Sequence, residues 1–173
     1  GRQVSFPTMT FAGDVLQLAD VKAVDETYPI YGTLDTQPPG LKIQPGEVLV
    51  APRLMSLLGI KVGEAIDVGD TTLKVIGEVI QEPDGGFNPF RIAPRLMMNL
   101  ADVASTGAIQ PGSRISWRYK FAGTDQQLAQ FERYLLPKLQ ADQRWIGLEQ
   151  DEGALGKSME RSQQFLLLSA LLT

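Results

Sequence analysis

Toward its C-terminal end the chain changes character abruptly. Glu160-Arg161-Ser162-Gln163-Gln164 is polar, and Phe165-Leu166-Leu167-Leu168-Ser169-Ala170-Leu171-Leu172-Thr173 would be apolar on every side of a helix, with Ser169 as the main interruption. A helix on the surface of a soluble protein would break such a run every third or fourth residue. Spanning the hydrocarbon of a bilayer takes about 20 apolar residues, and this run supplies roughly half of them. Two readings stay open: the start of a transmembrane helix over 163–173, or a helix buried in a core. Lys157 and Arg161, just ahead of the run, suit a stalk rising from the headgroup region, where long cations can snorkel, with Phe165 as its first apolar residue. At the other end Gly1 leads straight into strand-type residues, Gln3 to Phe11, without the charged start and central apolar run of a signal peptide. The chain is expected to begin inside a larger protein.

The residues that are missing narrow the chemistry. The 173 residues include no Cys and no His, so a disulfide framework, a thiol nucleophile, a Ser-His-Asp triad and the usual zinc sites are all excluded. Sixteen Lys and Arg against twenty Asp and Glu leave no basic excess to neutralise a phosphate backbone, so nucleic acid is not an expected partner.

Along the chain, residues 2–12 and 14–24 read as a hairpin around Ala12-Gly13-Asp14, with Leu16, Leu18, Val21 and Val24 as core candidates. Two prolines in Asp35-Thr36-Gln37-Pro38-Pro39-Gly40 forbid helix and central strand, which places a boundary there. Glu47 to Val50 is a short strand. It runs into a short helix bracketed by Pro52 and Gly59, and a second hairpin follows over 64–80 around Gly69-Asp70, with Leu73, Val75 and Val79 on one face. Ala93 to Val103 is expected to be helical, with Pro94 near its start and Gly107 closing it. Arg114 to Phe121 alternates as a strand. A helix capped by Thr124 or Asp125 carries Leu128, Phe131, Leu135, Leu136 and Leu139 as an apolar stripe, with Pro137 near its end, and Arg144 to Leu148 reads as one more strand. This order predicts an α+β fold in which residues 1–40 and 113–162 form a mixed α/β part interrupted by a small β-rich module over 41–112.

Several constellations invite a chemical reading. Gly156-Lys157-Ser158 opens a helix as a phosphate loop does, but the position that needs the first glycine is Asp151, and Glu149 and Glu152 would repel phosphates. Asp25 with Glu26, Asp84, and the group Glu149, Asp151 and Glu152 are the carboxylates that a His-free hydrolase could use, and each reads better as a solvated loop. Lys157 and Ser158, adjacent on a helix, point in different directions and make a poor dyad. Phe87 and Phe90 lie in a Gly- and Pro-rich segment; with Leu96 and Met97 they are the candidate contact for an apolar cargo or partner, the alternative being that all four are core.

Tyr28-Pro29-Ile30-Tyr31-Gly32, Gly46-Glu47-Val48-Leu49-Val50-Ala51-Pro52-Arg53-Leu54, Leu58 to Glu64 and Leu73 to Val79 follow one another in an order that resembles the extracytoplasmic domain of FtsX/MacB/LolC-type ABC transporter permeases. Gln81-Glu82-Pro83-Asp84, Phe87-Asn88-Pro89-Phe90, Ala93 to Leu100 and Gly147 to Leu155 are similar in particular to the YbbP-like permeases. The resemblance covers essentially the whole chain. It implies a periplasmic domain of a bacterial inner-membrane protein, with a Porter-like α/β part, an inserted Sabre-like part and a stalk entering the second transmembrane helix. It also implies a non-enzymatic role without a cofactor in this chain. ATP would be bound by separate cytoplasmic subunits, and its hydrolysis would be coupled to hydrophobic or lipid-like cargo or to a periplasmic partner such as a thioesterase/lysophospholipase. From the residues alone, a soluble binding module or a carboxylate-based hydrolase remains the alternative.

Overall fold

Strand-type alternation dominates the first two thirds of the sequence, and the structure, a computed structural model, builds most of those residues into one sheet. It describes residues 1–85 and 92–147, in two compact units, residues 1–122 and 123–173. The first unit contains β1 (Arg2–Ala12), β2 (Val15–Val24), β3 (Asp35–Gln37), β4 (Glu47–Val50), α1 (Pro52–Leu58), β5 (Ala65–Val68), β6 (Thr71–Gln81), β7 (Arg95–Asn99) and β8 (Ser116–Tyr119). The described part of the second contains α2 (Asp125–Leu135) and one short 3-10 turn.

The sheet closes on itself. β1 pairs with β2 along its full length, β2 runs parallel to β7, β7 antiparallel to β4, β4 parallel to β6, β6 antiparallel to β5, and β5 returns to β1 at Thr10 and Phe11. The result is a barrel with β3 attached outside on β6 and β8 on the first residues of β1. β1 can serve two neighbours on one edge because β8 takes Arg2 to Ser5 and β5 takes Thr10 and Phe11; Pro7, with no N–H to offer, sits between.

Alternation sends Val4, Phe6, Val21, Val48, Val50, Ile66, Val68, Leu96 and Met98 into the interior, where α1 adds Leu54, Met55 and Leu58. Pro52 at the start of α1 and Gly59 in the left-handed conformation at its end bracket that helix as the sequence predicts. A second apolar layer lies outside the barrel, where Val24, Leu49, Val79 and Met97 are covered by Tyr28, Leu34, Leu41 and Ile43. Each fully buried Leu, Met or Phe contributes about 1.5–3 kcal/mol. Attachment of β3 also needs a glycine: a Cβ on Gly77 would stand 2.7 Å from the carbonyl oxygen of Gln37, in the strand paired alongside it.

Several expectations change, among them Leu16 and Leu18, read as core and found exposed. Residues 93–103 are not a helix: Arg95–Asn99 is a strand, followed by 3-10 turns over Leu100–Asp102 and Ala104–Thr106. Val79 does not share a face with Leu73 and Val75, because the register between β4 and β6 shifts after Val48 and turns the rest of β6 over, leaving Val79 in the outer layer. Residues 144–147 form no strand. The boundary expected near residue 41 falls within one hydrogen-bonded barrel, since β5 pairs with β1 and β7 with β2 across it. The coarse class holds: the fold is α+β, with a strand-rich core and few helices.

In the second unit, Thr124 and Gln127 cap α2 reciprocally, and Leu128, Phe131, Leu135 and Leu139 are half-buried while Leu136 is exposed. Phe131 and Trp145 pack with ring centroids 5.8 Å apart. Among the described residues no helix is long and apolar enough to cross a membrane; the expected transmembrane start at 163–173 lies outside them.

Candidate functional site

On β2 the inward residues Val21 and Ala23 flank Lys22, which must point out of the barrel. An outward lysine is ordinarily solvated, yet the side chain of Lys22 is only 3% exposed. The segment after β2 brings Tyr28 over it, and β6 runs on past Gln81 to deliver Glu82 and Asp84. Its ammonium donates to Glu82 Oε2 at 2.8 Å, Asp84 Oδ1 at 2.7 Å and the Tyr28 hydroxyl at 3.1 Å, so all three donors are used. The ammonium also stands 4.6 Å from the centroid of the Tyr28 ring, within cation–π range.

The network extends both ways. Arg95, at the start of β7, donates from Nε to Glu82 Oε1 at 2.7 Å and from Nη1 to Asp20 Oδ2 at 2.9 Å, the parallel register placing Asp20 beside it. Lys120, just past β8, pairs with Asp84 Oδ2, and the Tyr28 hydroxyl donates to Asp84 Oδ1 at 2.6 Å. Three cations meet three carboxylates, with Glu82 and Asp84 almost fully buried. Burial works to raise the pKa of Glu82, but Arg95 and Lys22 outweigh it and hold the carboxyl below its ordinary range. Asp84 is held further down: burial again opposes ionisation, and hydrogen bonds from Lys120, Lys22 and Tyr28 prevail. Burial, then the bond to Asp84, pushes the Tyr28 hydroxyl well above its usual range, so it stays a donor.

The arrangement is a compensated structural lock. Every buried side-chain nitrogen and oxygen among the described residues has a partner, and an ammonium with three acceptors has no lone pair to act as a base. Asp84 is therefore not the solvated loop carboxylate expected from sequence: β6 carries it into the network.

A shallow groove of about 630 Å³ lies elsewhere on the first unit, lined by Arg2, Asp25, Glu26, Leu100, Ile109 and Trp117 among others. Of its two acids, Asp25 is engaged by the backbone. Asp25 accepts from the Arg2 amide at 2.7 Å and from the Thr27 amide and hydroxyl at 3.1 and 2.6 Å, which shapes the turn after β2. Burial would raise its pKa, and these hydrogen bonds lower it overall.

Of the residues singled out as contacts for cargo, Leu96 and Met97 are in β7 and fully buried, one in the barrel interior and the other in the outer layer. They are core, because a strand covered on both faces buries successive side chains. Phe87, Phe90, Lys157, Arg161 and Phe165 lie outside the described residues, as do Glu149, Asp151, Glu152 and Ser158. The network itself escaped sequence reasoning, since its members are scattered from residue 20 to residue 120. One signal was present: Lys22 interrupts the stretch Val21 to Val24, whose other residues are all core types.

No model of a protein family matches the chain. A curated protein does: the chain is 71% identical over all 173 residues to an uncharacterized ABC transporter permease, YbbP, of Escherichia coli (strain K12), and spans 22% of that protein's length. With identity at this level along its whole length, the chain belongs with the YbbP-like ABC transporter permeases, corresponding to a part of such a protein.

Proposed function

We propose that this chain is the periplasmic domain of a bacterial inner-membrane ABC permease, and that it passes ATP-driven movement of the membrane helices to a hydrophobic or lipid-like cargo or to a periplasmic partner. The observation that carries the reading is the 71% identity to a permease over the whole chain. The chain itself performs no catalysis in this reading. ATP is bound and hydrolysed by separate cytoplasmic subunits, and the helix expected from about residue 153 onward, through Lys157, Arg161 and Phe165, is the stalk that delivers the movement. A periplasmic thioesterase or lysophospholipase is the proposed neighbour. The closed barrel supports the role: its core is packed on both sides of the wall and would move as a body instead of deforming strand by strand.

The test is a flexible Gly/Ser linker inserted after Lys157 in the full-length permease assembled with its ATPase subunits. Hydrogen exchange of residues 1–122 is compared between the nucleotide-free and ATP-bound complexes. The unmodified permease is expected to show a difference between the two states, and the linker variant to lose most of it. A difference that survives the linker undiminished would refute transmission through the stalk.

A further inference from the structure

β8 is the last strand before the second unit, which starts at Gly123, and little of it is buried. All four of its residues, Ser116 to Tyr119, are exposed. Its pairing is confined to Arg2–Ser5 of β1, and Ile115, just before it, packs on the core cluster. A strand with so short a ladder and no buried side chain would ordinarily fray at its end.

Lys120 supplies what the strand lacks. Its backbone continues the ladder, the Lys120 amide donating to the Gly1 carbonyl at 2.7 Å. Its side chain crosses to Asp84, which is 7% exposed and is itself held by Lys22 and by the Tyr28 hydroxyl. Lys22 in turn holds Glu82, and Glu82 is held by Arg95 at the root of β7. A short chain of buried, charge-assisted contacts thus runs from residue 120 to β6, β2 and β7, three walls of the barrel. Moving residue 120 outward would either strip a counter-ion from a buried carboxylate, which is costly, or carry the 82–84 segment with it.

We infer that the Lys120–Asp84 pair is a latch that ties the chain leaving the first unit to the barrel wall, so that a displacement arriving from residue 123 onward is delivered to β6, β2 and β7 together and not to β8 alone. The inference rests on the proposed transmission of movement and assigns its point of entry into the barrel. Lys120 is the outermost member of the network, its side chain 25% exposed, and Asp84 keeps Lys22 and Tyr28 when it is removed. Lys120→Met should therefore fold.

In the full-length permease with its ATPase subunits, exchange of the amides of 114–120 is expected to be roughly tenfold faster in Lys120→Met, with the β1–β2 hairpin unchanged. The ATP-dependent exchange difference in residues 71–99 should fall by at least half, and Lys120→Arg should restore both. Unchanged exchange at 114–120, or an ATP-dependent difference as large in Lys120→Met as in the unmodified permease, overturns the latch alone. If the unmodified permease shows no ATP-dependent difference at all, the transmission reading fails and takes this route with it; a linker after Lys157 that abolishes the difference while Lys120→Met preserves it leaves transmission standing and removes only the latch.

Discussion

In the barrel, Val4, Phe6, Val21, Val50, Ile66 and Leu96 are at most 2% exposed and come from strands spread over nearly a hundred residues, whereas α2 buries none of its residues fully and is held at its start by a cap that spans only Thr124 to Gln127. One region exists because distant segments meet; the other is written into consecutive residues. The contrast separates two sources of order. Tertiary burial stabilises the barrel cooperatively, and the loss of any wall should be felt by all. Helix α2, at 11 residues, is shorter than the roughly 12–15 at which an isolated helix becomes marginal in water, so its cap and its half-buried stripe decide how fully it forms.

The largest effect is expected from Phe6→Ala, which empties the middle of the barrel. Such truncations cost about 3–5 kcal/mol. The two tryptophans of the chain can tell the regions apart, since Trp117 belongs to the first unit and Trp145 to the second. With Trp145 replaced by Phe, the urea unfolding transition read from Trp117 should move to clearly lower denaturant. With Trp117 replaced instead, the signal of Trp145 should stay where it was. If both signals move together, the two units unfold as one and the comparison breaks.

How far the sequence announced these two regions follows the same division. The β1–β2 and β5–β6 hairpins, α1 and α2 were legible because turn residues, caps and alternation are local signals. The capping box of α2 is visible in Thr124 and Gln127 alone. β7 was misread as a helix because Leu96, Met97 and Met98 are each buried, Met97 outward and the others inward, and a strand covered on both faces shows no alternation. The pairings β2–β7 and β1–β5, which close the barrel, leave no mark in either partner's sequence. The site was less legible still: Asp84 and Lys120 are 36 residues apart, and each reads alone as an ordinary surface charge.

Acid should act on the barrel next. Glu82 and Asp84 are held below their ordinary values of 4.5 and 3.8 in the folded state, so the unfolded chain takes up their protons at higher pH than the folded one. Stability from the network is then fully present above about pH 5 and is lost progressively as the pH falls through the ordinary carboxylate range and below it. The thermal midpoint read from Trp117 should be flat between pH 7 and about pH 5 and should drop below that. Asp84→Asn removes one of the network's two depressed carboxyls. Its midpoint should be lower at pH 7 and its acid slope shallower, and an unaltered slope would mean that the network does not set the acid stability of the barrel.

The smallest effect sharpens the contrast most. The Thr124 hydroxyl accepts from the Gln127 amide at 3.3 Å, and the Gln127 side chain accepts from the Thr124 amide at 3.0 Å, so each satisfies a donor that the first turn would otherwise leave open. Thr124→Ala removes one of these bonds at a cost of about 1 kcal/mol. In a helix without a fully buried residue little else absorbs that loss, and amides of α2 should exchange roughly fivefold faster. Thr124→Ser, which keeps the hydroxyl, should exchange as the unmodified chain does. The Trp117 transition should not move in either variant, because nothing in the barrel's closure depends on how α2 begins. A shift there as large as the change in α2 would show that the helix draws its stability from the barrel, and the division between local and distant sources of order would have to be redrawn.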